Sequence, residues 1–183
     1  MVYILLADGF EEAEALIPAD LLRRAGETVF LTAACPGQTL VTGGHGITVA
    51  IDCAADKVQL SPGDLVMLPG GMGGVNGLSK SEAAVSLIRR ANKDEFWLAA
   101  ICAAPTLLGK LDLLQGRRAV CYPGMESGLT GGVPCPGEQT VRDGRLITGE
   151  GPGAAFPFGL ALVEALCGKK TADKVAQDAC FRR

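Results

Sequence analysis

The stretch that decides the fold is Trp97-Leu98-Ala99-Ala100-Ile101-Cys102-Ala103-Ala104-Pro105-Thr106-Leu107-Leu108. An apolar run long enough for one buried parallel strand ends at a cysteine, and a helical pattern begins directly after it. That order predicts a sharp strand-to-helix turn with Cys102 at its tip. Ala103 and Ala104 leave the turn uncrowded, and Pro105 suits a first helical turn, where its missing N–H costs nothing. In open α/β sheets such tips face the carboxyl edge, where ligands bind. The unpaired N–H groups and positive dipole end of the following helix are expected to ease ionisation of a thiol placed there. Position alone leaves a second reading open, a buried cysteine that serves as a small hydrophobe.

The same strand-then-helix pattern extends in both directions. Residues 2–7 read as a buried strand, followed by Asp8-Gly9 and an acidic helix start carrying Glu11, Glu12 and Glu14. Pro18 is expected to kink or restart that helix before it stops at Gly26. Residues 28–33 and 65–68 read as further strands, and residues 40–52 as a hairpin or bulge excursion around Gly43-Gly44-His45-Gly46. Pro69-Gly70-Gly71-Met72-Gly73-Gly74 reads as a loop able to approach a ligand closely, with a helix over 79–92 after it. A nucleotide fingerprint is not expected there, since Asn76 stands where the last glycine should be and no lysine-serine pair follows.

Beyond Cys102, a helix is expected to end near Gly116 and a strand to cover 118–122. Residues 127–137 read as a long loop, 139–148 as a hairpin turned at Asp143-Gly144, and 154–166 and 171–179 as helices. Alternating strands and helices place the chain in the open, mostly parallel α/β class, a three-layer sandwich. Four strand tips then carry unusual residues: the glutamates after the first strand, the glycine run, Cys102 and Tyr122.

The chain has 183 residues, 48% of them hydrophobic, which suits one domain over residues 1–183. A net charge of −3 supplies no general basic field, so nucleic acid and anionic membrane are not expected partners. Strand-sized apolar runs and an N-terminus without a leader pattern lead to the expectation of a soluble, cytoplasmic protein. Seven cysteines without a C-x-x-C pair suit a reducing compartment, and a single histidine puts imidazole-based metal sites out of reach. No metal or cofactor is expected, so any chemistry must use thiol, carboxylate and backbone.

Four segments together carry a resemblance: D-G-F-E-E-A-E-A at 8–15, L-P-G-G-M-G-G at 68–74, A-A-I-C-A-A-P at 99–105 and G-E-G-P-G at 149–153. In order and spacing they resemble the ThiJ/PfpI superfamily, and within it the DJ-1-like branch. The resemblance implies a flavodoxin-like α/β/α sandwich that forms a homodimer, with Cys102 as a nucleophile at an elbow and Glu14 as its carboxylate partner. It implies an oxyanion-binding pair in the backbone N–H groups of Gly71 and Ala103. Read from pattern alone, any glutamate of that run is a solvated helix-start charge; the likeness singles out Glu14.

Family members act as cofactor-free glyoxalases, protein deglycases, chaperones and oxidation sensors. The first expectation is therefore an enzyme acting on small dicarbonyls or glycated protein through a Cys102 thiolate and releasing lactate or glycolate. The alternative is a redox-sensing chaperone in which Cys102 becomes a sulfinate without turnover. A glutamine amidotransferase would need a histidine downstream of His45, and the peptidase branch a histidine where Ala103 stands.

Three positions depart from the family pattern. Tyr122 stands where several branches have a histidine, and it reads either as a substrate contact or as a strand-end aromatic filling the core. His45 and Glu150 stand where close relatives often have arginines, which makes both candidate substrate contacts. A loop histidine is also commonly just exposed.

Overall fold

The computed structural model describes residues 1–93 and 95–182. In chain order the elements are β1 (Val2–Leu6), α1 (Glu12–Arg24), β2 (Val29–Ala33), β3 (Leu40–Thr42), β4 (Thr48–Ala50), β5 (Cys53–Ala54) and β6 (Leu65–Leu68). They continue with α2 (Met72–Lys80), α3 (Glu82–Ala91), β7 (Trp97–Ile101), α4 (Ala104–Lys110), β8 (Arg118–Ala119) and β9 (Val133–Pro134). The chain closes with β10 (Thr140–Asp143), β11 (Leu146–Gly149), α5 (Ala155–Cys167) and α6 (Lys169–Asp178).

Among the described residues the central sheet has seven strands in the order β10-β11-β7-β6-β1-β2-β5. All neighbours are parallel except β10, which pairs antiparallel with β11 through the turn at Gly144. β1, β6, β7 and β11 are buried along their whole length, as expected of strands covered on both faces. Helices α1, α5 and α6 pack together on one face, while α2, α3 and α4 occupy the other. With β10 and β5 set aside, the order is the flavodoxin-like one, and the strand order reverses between β1 and β6. The carboxyl ends of those two strands and of β7 are therefore where a ligand crevice belongs.

Several expectations need correction. α1 runs unbroken through Pro18. The proline leaves the Glu14 carbonyl without its usual helical donor, but its own side of the helix packs closely on α5, where a Cβ at Gly159 would come within 3.1 Å of Pro18 Cα. Met72-Gly73-Gly74 is the first turn of α2 rather than a loop, and the single helix expected over 79–92 is divided at Ser81. Ser81 Oγ accepts from Ala84 N at 3.2 Å and donates to Ala34 O at 2.5 Å, so the serine starts α3 and anchors it. The glycines of α2 serve close approach: a Cβ on Gly73 would stand 3.0 Å from Gly9 Cα.

Tyr122 does not end a central strand. β8 is only two residues long and pairs with β9 in a separate ribbon. The hairpin reading of 40–52 holds, as β3 and β4 pair antiparallel around His45. That hairpin is tied to the turn after β1, where Gly9 N donates to Thr42 O and Gly44 N to Phe10 O, each at 2.8 Å.

Candidate active site

Cys102 follows β7 with φ of +64°, a left-handed conformation that a residue with a Cβ adopts only under constraint. The constraint is visible on both sides. Cys102 N donates to Gly149 O at 3.0 Å, and its carbonyl accepts from Tyr122 N at 2.9 Å. The side chain that emerges is 9% exposed.

Two other strand tips meet it. Gly70, after β6, has its carbonyl bonded by Glu11 N at 3.0 Å, so the turn after β6 is fastened to the start of α1. Three residues further along, in the first turn of α1, Glu14 is fully buried, and its Oε2 accepts from Gly70 N at 2.7 Å. Gly70 is the seam between acid and thiol: a Cβ there would lie 2.6 Å from Glu14 Oε2 and 2.7 Å from Cys102 Cβ. The N–H groups of Gly71 and Ala103 act on the sulfur as hydrogen-bond donors. Gly71 holds φ at +81°, a left-handed conformation that glycine adopts without steric penalty.

The electrostatics differ from those expected of a thiol at a helix start. Burial pushes the Cys102 thiol up to about 12, the Glu14 charge adds to this, and the Ala103 and Gly71 N–H groups oppose it. Burial likewise pushes Glu14 up to about 7, opposed by hydrogen bonding to Cys102 and Gly70. Glu14 Oε1 is buried without a hydrogen-bond partner, and Cys102 is the side chain with which the carboxyl interacts by hydrogen bonding. The expectation that the turn alone makes this thiol ionise readily is thus corrected, because the turn also buries it beside an acid. Above about 7 the pair as a unit holds one proton. The sulfur is charged in the arrangement that leaves this proton on Glu14, where the two backbone donors face the thiolate and no carboxylate charge opposes it.

His45 lies in the β3–β4 turn and belongs to a different cluster. Its backbone N donates to Glu12 Oε1 at 2.7 Å, and its Nδ1 stands 2.7 Å from Glu12 Oε2. Burial opposes ionisation of Glu12, but hydrogen bonds from the His45 ring and from backbone N–H groups outweigh it and hold the carboxyl at about 2. His45 is raised, first by its hydrogen bond to Glu12 and then by the charges of Glu11 and Glu12. Ligand atoms of Glu11, Glu12 and His45 lie within 4.8 Å of one another, so these residues could reach one cation, although a single histidine had put such sites out of reach. The short Nδ1 to Oε2 contact is that of a hydrogen-bonded pair.

Because the folded protein raises the His45 pKa, the clamp contributes most below the unfolded value of 6.5 and is lost as pH rises through the raised value. His45→Ala should therefore lower the melting temperature more at about pH 5.5 than at about pH 9. An equal effect at both would show that the pair carries no linked proton.

Tyr122 is 48% exposed, which rules out core filling, and with Glu150 it lines a cavity of about 500 Å³ beside the Cys102 turn. Sequence reasoning missed Gly70, which sits in a run of similar glycines, and Glu12 as the partner of His45. The signal for Gly70 was its place as the first glycine after a buried strand.

The fold and these residues together place the chain among flavodoxin-like proteins that carry a cysteine at a strand-to-helix elbow facing a buried acid. Residues 1–165 match the DJ-1/PfpI family, and the chain belongs to it. It is similar to Protein dj-1beta of Drosophila melanogaster, 38% identical over 175 residues, or 95% of this chain and 93% of that protein. A Pyrococcus abyssi protein named a deglycase is 31% identical over 166 residues, covering 90% of this chain and 98% of that protein. The solved structure of oxidized Toxoplasma gondii DJ-1 matches with a TM-score of 0.92 at 30% identity, covering 100% of this chain and 98% of that one. Among the described residues no helix is long and apolar enough to cross a membrane.

Proposed function

We infer that the protein converts small reactive dicarbonyls, or their adducts on protein, to hydroxy acids through Cys102. The observation that supports this most is the convergence on one sulfur of a buried acid and two backbone donors. The Cys102 sulfur forms a bond to the aldehyde carbon of methylglyoxal, and the carbonyl electron pair moves onto oxygen. The N–H groups of Gly71 and Ala103 hold that oxyanion, and the proton kept on Glu14 passes to it, giving a hemithioacetal. Glu14, now a carboxylate, takes the hydrogen of that carbon as a proton and returns it to the neighbouring carbon, while the hydroxyl proton passes from the first oxygen to the oxygen of that neighbouring carbon. One carbon is oxidised to a thioester and the other reduced to an alcohol, so no outside oxidant is needed. Water then breaks the C–S bond, freeing lactate and the thiol; glyoxal gives glycolate by the same route. The name of the Pyrococcus protein is in keeping with this reading.

Cys102→Ser should lower metal-free lactate formation by about 1,000-fold or more. Retention of the parent rate would overturn the mechanism. A homodimer belongs to the same reading, supported by Leu40 and Ile47, which the β3–β4 hairpin leaves 59% and 52% exposed.

A second reading, redox sensing at Cys102 without turnover, draws support from the oxidized state named for the Toxoplasma relative. It expects mild peroxide to convert Cys102 to sulfinate before the other six cysteines, read by mass spectrometry. Equal oxidation across all seven would remove it.

A further inference from the structure

We propose that Thr148 is a positioning residue for Cys102, acting through the segment 118–122 that holds the carbonyl side of the elbow. The inference rests on the reading of Cys102 as the nucleophile and adds to it what keeps that nucleophile in its left-handed conformation.

A residue with a Cβ keeps φ at +64° only where its surroundings over-determine it. For Cys102 one tie comes from the sheet: its N–H donates to Gly149 O at 3.0 Å, at the end of β11. β11 is buried and paired on both sides, with β7 and with β10, so that tie is rigid. The other tie is Tyr122 N, which donates to Cys102 O at 2.9 Å from a segment outside the central sheet. It is only as firm as the segment that carries it.

Residues 118–122 lie as a strap between two partners. Towards β9, Arg117 O accepts from Val133 N at 2.8 Å and Ala119 O from Cys135 N at 2.9 Å. Towards the central sheet every second N–H of the strap is donated: Arg118 N to Asp143 Oδ2 at 2.7 Å, Val120 N to Thr148 Oγ1 at 2.9 Å, and Tyr122 N to Cys102 O. Two side chains thus do for the strap what a backbone ladder does for a strand, and they set its register against β10 and β11.

Thr148 holds the middle bond. It is fully buried and Val120 is 2% exposed, so neither partner can turn to water instead. Thr148 also directly precedes Gly149, so one stretch of β11 governs both ties of the elbow. Without Oγ1 the Val120 N–H is buried with no acceptor, and the strap must move to satisfy it. Movement of the strap takes Tyr122 N off the Cys102 carbonyl and releases the turn that keeps the sulfur beside Glu14 and the N–H groups of Gly71 and Ala103.

The test uses the full chain with Thr148→Val, which keeps the shape and removes the acceptor, and Thr148→Ser, which restores it. Asp143→Ala removes the acceptor at the far end of the strap and controls for general loosening. Thr148→Val should lower kcat for methylglyoxal about 10- to 100-fold with KM within about twofold of the parent, and Thr148→Ser should recover most of the loss. Independently of turnover, iodoacetamide alkylation of Cys102, read on its peptide by mass spectrometry, should lose its inflection near pH 7 in Thr148→Val and keep it in Thr148→Ser and Asp143→Ala. Circular dichroism establishes that each variant is folded. Should Thr148→Val not fold, amide exchange in the parent decides: the Val120 and Tyr122 N–H groups should open together, with protection within about threefold of each other. A Tyr122 N–H that stays protected while that of Val120 exchanges freely overturns the coupling. Parent-like kcat and alkylation in folded Thr148→Val, or an equal loss in Asp143→Ala, overturns the proposal as well. A parent without methylglyoxal turnover, whose alkylation inflection is still lost in Thr148→Val, would overturn the catalytic reading and leave the positioning role standing.

Discussion

Gly70→Ala is expected to abolish turnover, with a loss greater than about 100-fold, although the residue contributes no side chain. The new methyl carbon would stand 2.6 Å from Glu14 Oε2, 2.7 Å from Cys102 Cβ and 3.0 Å from Cys102 Sγ. None of these neighbours can retreat cheaply. Glu14 is fully buried on α1, and the Cys102 backbone is bonded to both Gly149 and Tyr122. The strain should lower stability by about 1–3 kcal/mol, as overpacking of a dense interior does. It should also push acid and thiol apart, and that separation is the larger effect on activity. Far-UV circular dichroism near that of the parent, together with lost lactate formation, is the expected pair of results. A variant with parent activity would mean that the acid and thiol need not be in contact.

Glu14→Gln should lower turnover by about 100- to 10,000-fold while leaving the fold intact. The amide oxygen can still accept from Gly70 N, so the bond observed at 2.7 Å survives. What is lost is the group that stores and returns a proton. Without a carboxylate charge beside it, the thiol also loses the second of the three causes, after burial, that push it up to about 12. The pH profile of Cys102 alkylation should therefore lose the inflection near 7 that belongs to the pair, and show a single thiol titration.

Stability gives a second readout. The folded protein raises Glu14 from 4.5 to about 7, so this group favours folding below about pH 4.5, and that contribution is lost as pH rises to about 7. The loss is about 3 kcal/mol, and the melting temperature of the parent should fall relative to Glu14→Gln across that interval. Parallel stability curves, or turnover within about twofold of the parent, would show that Glu14 carries no catalytic proton.

Much of this architecture was legible in the chain. The apolar runs of β1, β6 and β7, each followed by a helical pattern, announced a parallel sheet, and the Asp143-Gly144 turn announced the β10–β11 hairpin. The glycines at 73 and 74 misled because composition suggests a loop, whereas here they let α2 lie against the turn after β1. Pro18 misled for a related reason: its local cost to α1 is real, but packing between α1 and α5 holds the helix together. Tyr122 looked like the end of a fifth parallel strand because β8 has the residues of one. It lies instead beyond a two-residue ribbon whose partner is β9.

The sequence by itself determined the strand and helix order, the elbow at Cys102 and, through resemblance, the pairing of that cysteine with Glu14. These depend on side-chain periodicity and turn chemistry, which act between near neighbours in the chain. Only the tertiary structure decided that the thiol resists ionising alone, that Gly70 is the seam between acid and sulfur, and that His45 serves Glu12 rather than Cys102. The first two depend on how closely atoms from α1, the turn after β6 and the turn after β7 exclude water from one another, and the third on the β3–β4 turn lying against the start of α1. Residues 14, 70 and 102 meet only when β1, β6 and β7 stand side by side.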